Sequence, residues 1–221
     1  MWMWLASTML VAVFIIRCRR NMAAAKALLG EAFAGILISD RCGSYNWVKK
    51  TARQFCWAHL KRDMQKISER SGVAGKIGDD ILDDIRRMFR LWHRHKDGRM
   101  SHETFKKAMI PIRRNVERLL KEGSTCSLWT FVEVEGVEPT NNLAEQQIRF
   151  YVLWRKSSFG TQSERGNLFV ERMMTTTATC KLQKRNRYDY ITSAVVAHLR
   201  NEPIPSLLPT QELTESAKLA A

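Results

Sequence analysis

Residues 34–40 read Ala-Gly-Ile-Leu-Ile-Ser-Asp, a short apolar run that stops on the carboxylate of Asp40. Such a run, bounded by Gly30 and Gly43, reads as a strand over 34–39 with Asp40 at its C-terminal end. Upstream, Asn21 is placed to cap a helix over Met22–Leu29, with Gly30 as its stop. Before that helix, residues 1–16 (MWMWLASTMLVAVFII) are nearly all apolar and lead into Arg17-Cys18-Arg19-Arg20. Sixteen residues fall short of the roughly 20 that a membrane-spanning helix needs. No basic residue precedes them, as a signal peptide would want, and Ser7 and Thr8 interrupt them. Two buried strands, 1–6 and 10–17, joined by a tight turn, explain the stretch better than a membrane anchor does. Downstream, 43–50 reads as a turn and short helix, and 53–57 as a further strand. The order β-β-α-β-α-β describes a mixed α/β sheet layer.

From residue 58 to about 122 the pattern changes to long amphipathic helices. Ile81, Leu82, Ile85, Met88, Phe89 and Trp92 form one apolar face. Met109, Ile112, Val116, Leu119 and Leu120 form a second, with Gly123 as the stop. Asp79, Asp80, Asp83 and Asp84 read as solvated acids in the first turns of their helix, with Asp83 set to pair with Arg87. A brief β-like run is expected at 131–134.

The chain has 221 residues, of which 45% are hydrophobic and 26% charged, which places it among globular proteins. Its 36 Lys and Arg outnumber 22 acids, a formal net charge of +14, which favours a polyanionic partner such as DNA. Five scattered cysteines (18, 42, 56, 126 and 180) include no Cys-x-x-Cys pair, so a disulfide framework is not expected and a reducing cytoplasm fits. Cys56-Trp57-Ala58-His59 has the spacing of only half a metal site. No second half follows at matching spacing, because His93, His95 and His102 lie on another segment, so a structural role is expected.

Late in the chain, Pro139-Thr140-Asn141-Asn142-Leu143-Ala144-Glu145 starts a helix capped by Thr140 or Asn141, with Glu145 in its first turns. An acid at a strand tip and an acid on a late helix can meet at one end of a sheet, where two-metal nucleic-acid enzymes hold Mg²⁺. Arg149 to Gly160 then mixes cations, aromatics and hydroxyls with weak periodicity, suiting phosphate contact and base stacking, although an ordinary basic loop has the same composition. Further helices are expected from Ser163 or Glu164 to about 181 and over 185–197, followed by a loose, Pro-broken tail after Glu202.

Leu37-Ile38-Ser39-Asp40 with Tyr45-Asn46, then Cys56-Trp57-Ala58-His59-Leu60-Lys61-Arg62, resembles the DDE transposases of the insertion-sequence-sixty-six family. Asn141 to Glu145, Arg155-Lys156-Ser157-Ser158-Phe159-Gly160-Thr161 and Pro205-Ser206-Leu207-Leu208-Pro209 continue the resemblance in the same order. It implies an α/β fold, a ribonuclease-H-like core with a mainly helical insertion between its last strand and its last catalytic helix. The expected division is 1–57 and 136–198 for the core, 58–135 for the insertion and 199–221 for a C-terminal element. Members bind two Mg²⁺ ions through three acids. The second acid maps to Asp40 and the third to Glu145, while the first would lie on a strand preceding residue 1. The core is therefore expected to lack its first strand. Two departures from the family pattern are Arg41, where many members carry a small residue, and Gln146, where an arginine is usual.

The function implied is DNA transposition by Mg²⁺-dependent strand cleavage and transfer, with these 221 residues inactive alone for want of the first acid. The alternative is a non-catalytic basic DNA-binding remnant. Arg149, Arg155, Lys156 and Arg165 are the candidate contacts to transposon-end and target DNA. A homo-oligomer is consistent with the resemblance, and a membrane partner is not expected.

Overall fold

The computed structural model describes residues 1–120 and 125–219, so the helix stop expected at Gly123 lies outside the described residues. The protein is a mixed α/β structure, 62% helical, and it divides into two compact units. One comprises Met1–Phe33, Gly43–Tyr45 and Asn142–Ala221, and the other Ala34–Cys42 and Asn46–Asn141.

The first unit opens with strands β1 (Trp2–Ser7) and β2 (Ala12–Arg17), paired antiparallel from Trp2 opposite Arg17 to Ser7 opposite Ala12. The link is a four-residue loop rather than a tight turn. Thr8 closes it, its N–H donating to the Val11 carbonyl at 2.8 Å and its Oγ1 accepting from the Val11 N–H at 3.1 Å. The strands are half-buried, not buried on both faces. Ala12, Phe14 and Ile16 point inward, and Val13 and Arg17 are exposed. The apolar sequence concealed an ordinary period of two.

Helix α1 (Met22–Leu29) keeps its predicted caps. Asn21 accepts from the Ala24 N–H at 3.0 Å, and Gly30, at φ 86°, donates to the Lys26 carbonyl. Its Ala24 and Ala25 pack with Trp4, Ile15 and Leu28. A second small core joins Ile16, Tyr151, Val170, Met3, Trp154 and Met174.

In the second unit, β3 (Leu37–Ser39) pairs in parallel with β4 (Arg53–Phe55), Leu37 lying opposite Arg53 and Ser39 opposite Phe55. Both strands are shorter than the sequence suggested. Helices α2 (Trp57–Ser68), α3 (Gly72–Lys96) and α4 (His102–Leu119) follow. Their apolar faces meet in the main core, which includes Trp57, Leu60, Met64, Ile81, Ile85, Met88, Phe105, Met109, Ile112 and Val116. Trp57 and Trp129 meet edge to face, with ring centroids 5.0 Å apart. The run at 131–134 is helical: α5 spans Thr130–Glu133 and buries Phe131 and Val132. A four-residue apolar run satisfies a single helical turn as readily as a strand, and its packing decides.

Only part of the Asp79–Asp84 group is solvated. Asp84 is buried at the edge of the α3 apolar stripe, where Asn115 of α4 donates to it and Arg87 stands 3.5 Å away. Asp83 pairs with Arg86 rather than Arg87.

The remaining helices, α6 (Asn142–Ser158), α7 (Glu164–Leu182), α8 (Arg187–Leu199) and α9 (Gln211–Leu219), belong to the first unit. The segment after Glu202 is less loose than expected. The Pro205, Ser206 and Leu207 carbonyls accept from Tyr190 Oη, Arg185 Nη1 and Gln183 Nε2 at 2.8–2.9 Å. Among the described residues, no helix is long and apolar enough to cross a membrane.

The α2–α3 hairpin depends on a close approach at Gly78. A Cβ there would lie 2.5 Å from the Ser68 nitrogen and 2.8 Å from its Cα. In an open helix Gly→Ala stabilises by about 1 kcal/mol, but here the two backbones would have to separate. Gly78→Ala should therefore destabilise the protein by about 1–3 kcal/mol in urea unfolding, the opposite sign to a helix-propensity effect.

Candidate functional site

Asp40 follows the last residue of β3 and is half-buried. Its Oδ1 accepts the Cys42 backbone N–H at 3.0 Å, which fixes the carboxylate over its own turn. The turn is held from below by Arg53, the first residue of β4, whose side chain is buried. Arg53 Nη2 donates to the Asp40 carbonyl at 3.2 Å and to the Cys42 carbonyl at 3.0 Å, while Nη1 donates to Asn46 Oδ1 at 3.1 Å. Its guanidinium carbon stands 4.6 Å from the centre of the Phe55 ring. A flat five-donor fork suits this task, because one arm serves both carbonyls of the turn while the other reaches Asn46. Arg41, the cation next to Asp40, pairs with Asp63 of α2.

Sequence pattern alone does not single out Arg53. The available signal is a lone cation at the head of the short strand run Arg-Gln-Phe, followed by a buried glutamine. Gln54 serves the other side of the strand: its Oε1 accepts from the Phe131 N–H at 2.9 Å and its Nε2 donates to the Leu128 carbonyl at 3.0 Å. Thr130 Oγ1 donates to the Arg53 carbonyl at 2.7 Å. The strand bearing Arg53 is thereby fixed from both edges.

Cys56 is buried at the head of α2, and its sulfur and a His59 ring nitrogen lie within 4.8 Å. The other histidines of this unit gather at the α3–α4 connection, where His95 stacks on Phe105 with ring centroids 5.0 Å apart and His102 lies 5.3 Å from His95.

In the first unit, Glu145 is half-buried in the first turn of α6. The weakly periodic stretch 149–160, which an ordinary basic loop would equally fit, is mostly helix, since α6 runs on to Ser158. The apolar and basic residues there alternate too irregularly to show a stripe, because the helix buries only Gln147 and Tyr151. Helical spacing puts Glu145, Arg149, Val152 and Lys156 on one face, and the two cations are exposed there. Arg155 lies about 100° round the helix from Lys156 and is exposed. Arg165 is exposed in the first turn of α7.

On α7 the spacing i, i+4, i+7 aligns Arg165, Phe169 and Arg172, all exposed. This stripe of cation, aromatic and cation suits a nucleic-acid strand. A reading guided by acids passes over Phe169 and Arg172, although their helical spacing is visible in the sequence. Lys181 Nζ stands 4.8 Å from the centre of the exposed Phe150 ring on α6. Cys180 offers no reactive thiolate: burial pushes its thiol up, and Arg185 and Arg187 offset this only in part.

Of the two candidate metal ligands, Asp40 belongs to the second unit and Glu145 to the first, while all four candidate DNA contacts belong to the first.

Replacing Arg53 with methionine would leave the part-buried Asp40 and Cys42 carbonyls short of a donor. A loss of stability on the order of 3 kcal/mol is expected, with faster hydrogen exchange at the Cys42 amide. Arg53→Lys should recover only part of both, because a single ammonium that reaches the two carbonyls cannot also reach Asn46 in the fork geometry.

The model of one protein family, described as "Transposase IS66 family", matches residues 1–125. The match takes in Asp40, Arg53 and the helices up to α4, and ends before Glu145. No curated protein and no solved structure matches the chain.

Proposed function

The chain belongs to the IS66 family of transposases, and on that premise we propose that it acts in DNA transposition through a ribonuclease-H-like core in which Asp40 and Glu145 are Mg²⁺ ligands. The observation that carries this reading is the strand-tip position of Asp40, with its carboxylate oriented by the Cys42 N–H and its turn clamped by Arg53. The donor set suits the ion. Mg²⁺ prefers carboxylate oxygens, keeps several waters and often takes only one or two protein ligands. Bound Mg²⁺ supplies an activated hydroxyl and stabilises the leaving oxygen.

The strand pairing supports the core assignment. An antiparallel pair, then a helix, then a parallel pair is what a ribonuclease-H-like sheet leaves when its first strand is not present, and the ladders here are two separate pairs.

The 221 residues contain no Asp or Glu before Glu31, which is exposed and pairs with Lys26 at 2.9 Å. Glu31 therefore supplies no substitute for a bridging first acid. These 221 residues by themselves should bind DNA without cutting it. A Mg²⁺- or Mn²⁺-dependent assay on transposon-end DNA should show no cleavage or strand transfer. Cleavage that disappears on Asp40→Ala would overturn the account of the first acid, and it would equally exclude a purely DNA-binding remnant.

Binding to duplex DNA should weaken steeply with salt, given the net charge of +14. Changing Arg149, Arg155, Lys156 and Arg165 together to alanine should reduce the slope of log K against log salt by about 3–4. An unchanged slope would move the DNA surface off α6 and α7.

A further inference from the structure

Phe159 stands apart from every other aromatic side chain described. It is 90% exposed, the most exposed large apolar side chain among the described residues, and it sits immediately after the last residue of α6. Its backbone is left-handed, at φ 60°, and Gly160 follows at φ 83°. Left-handed geometry at a helix end ordinarily falls to glycine. Here the chain places a phenyl ring in the left-handed position and the glycine one residue later. Hydrophobic burial does not account for the ring, because it is buried against nothing.

Its neighbours are cations and hydroxyls. Arg155 runs alongside the turn, its Cγ 3.7 Å from where a Cβ on Gly160 would stand. Lys156 is exposed in the last turn of the helix, and Ser158 Oγ accepts the Gly160 N–H at 3.4 Å. After the turn, Ser163 caps α7 by accepting the Gly166 N–H at 3.1 Å, and Arg165 is exposed in the turn that follows. A protein-docking aromatic is usually ringed by other apolar groups at the centre of a patch, whereas cations flank this one on both sides in sequence.

We propose that Phe159 is a base-stacking residue for an unpaired nucleotide of DNA, with Arg155, Lys156 and Arg165 holding the adjoining phosphates. This rests on the DNA-binding reading above and adds what that reading does not specify, the state of the DNA. A ring on an unsheltered turn gains contact only from a base whose face is open, and bases inside a continuous duplex have none. Stacking on an aromatic side chain is tolerant of sequence, so the residue discriminates unpaired from paired DNA rather than one base from another.

The test compares the 221-residue protein with Phe159→Ala and Phe159→Tyr, using fluorescence anisotropy. The probes are a single strand of 20 nucleotides and a duplex of the same sequence closed by loops at both ends through non-nucleotide linkers. Phe159→Ala should weaken single-strand binding by about five- to a hundred-fold, leave the salt slope unchanged and leave closed-duplex binding within about two-fold. Phe159→Tyr should bind as the parent does. A 2-aminopurine in the single strand should be quenched by the parent and not by Phe159→Ala. If the parent binds neither DNA, the DNA-binding reading itself fails. If the parent binds and Phe159→Ala binds both probes equally well, the stacking assignment is overturned. It is overturned too if Phe159→Ala weakens both probes alike and shifts the sedimentation coefficient, because the ring would then be a protein contact.

Discussion

A strand in a two-stranded ladder has half of its backbone polar groups facing away from its partner, and each one left dry costs as much as a lost hydrogen bond. Both ladders of this protein meet that constraint on one side with side chains instead of a third strand. Along β2, the N–H groups of Ala12, Phe14 and Ile16 donate to Thr179, Thr175 and Glu171 of α7, at 3.1 Å and 3.0 Å for the two threonines. Thr179 also returns a bond to the Ala12 carbonyl. The match is metric. Every second strand residue advances about 6.6 Å and every fourth helix residue about 6 Å, so a stripe at i, i+4, i+8 keeps step with one edge of a strand over three bonds. The second ladder does the same on the edge of β4, where Thr130 Oγ1 donates to the Arg53 carbonyl and Gln54 Nε2 to the Phe55 carbonyl.

The same economy explains the treatment of Asp40. A turn at a strand tip has carbonyls that no ladder reaches, and one buried guanidinium collects two of them together with Asn46. The carboxylate is thus carried on a turn whose backbone is tied to the neighbouring strand. A group meant to hold a cation gains from this, because a ligand that stays in place spends no ordering entropy when the ion arrives.

Much of the fold is legible in the sequence where the signal is local. Asn21 and Gly30 mark α1 to the residue, and Ser163 opens α7, because caps are short-range chemistry. The apolar faces of α3 and α4 are legible from their period. What the sequence conceals depends on partners distant along the chain. Asp84 looks like its solvated neighbours until Asn115 is brought beside it. Residues 149–158 show only weak periodicity because α6 leaves Phe150, Val152 and Leu153 exposed. Arg53 resembles any surface cation, and only the return of the chain past β3 makes it a clamp. Of the candidate site, the place of Asp40 at a strand tip and of Glu145 in a first helical turn is legible from the sequence, whereas the supports of Asp40 are not. Along β2 the third bond falls to a carboxylate, Glu171, where the other two fall to threonines, and no local pattern in α7 announces that choice.

The side-chain seal on β2 also sets a valence. Its N–H groups are occupied by α7, so that edge cannot recruit another chain, and among the described residues no strand lies against the opposite edge of β1. The ribbon can therefore be extended on its β1 side alone, so sheet growth at this hairpin runs in one direction. An apolar β-hairpin open on both edges would be a template in two.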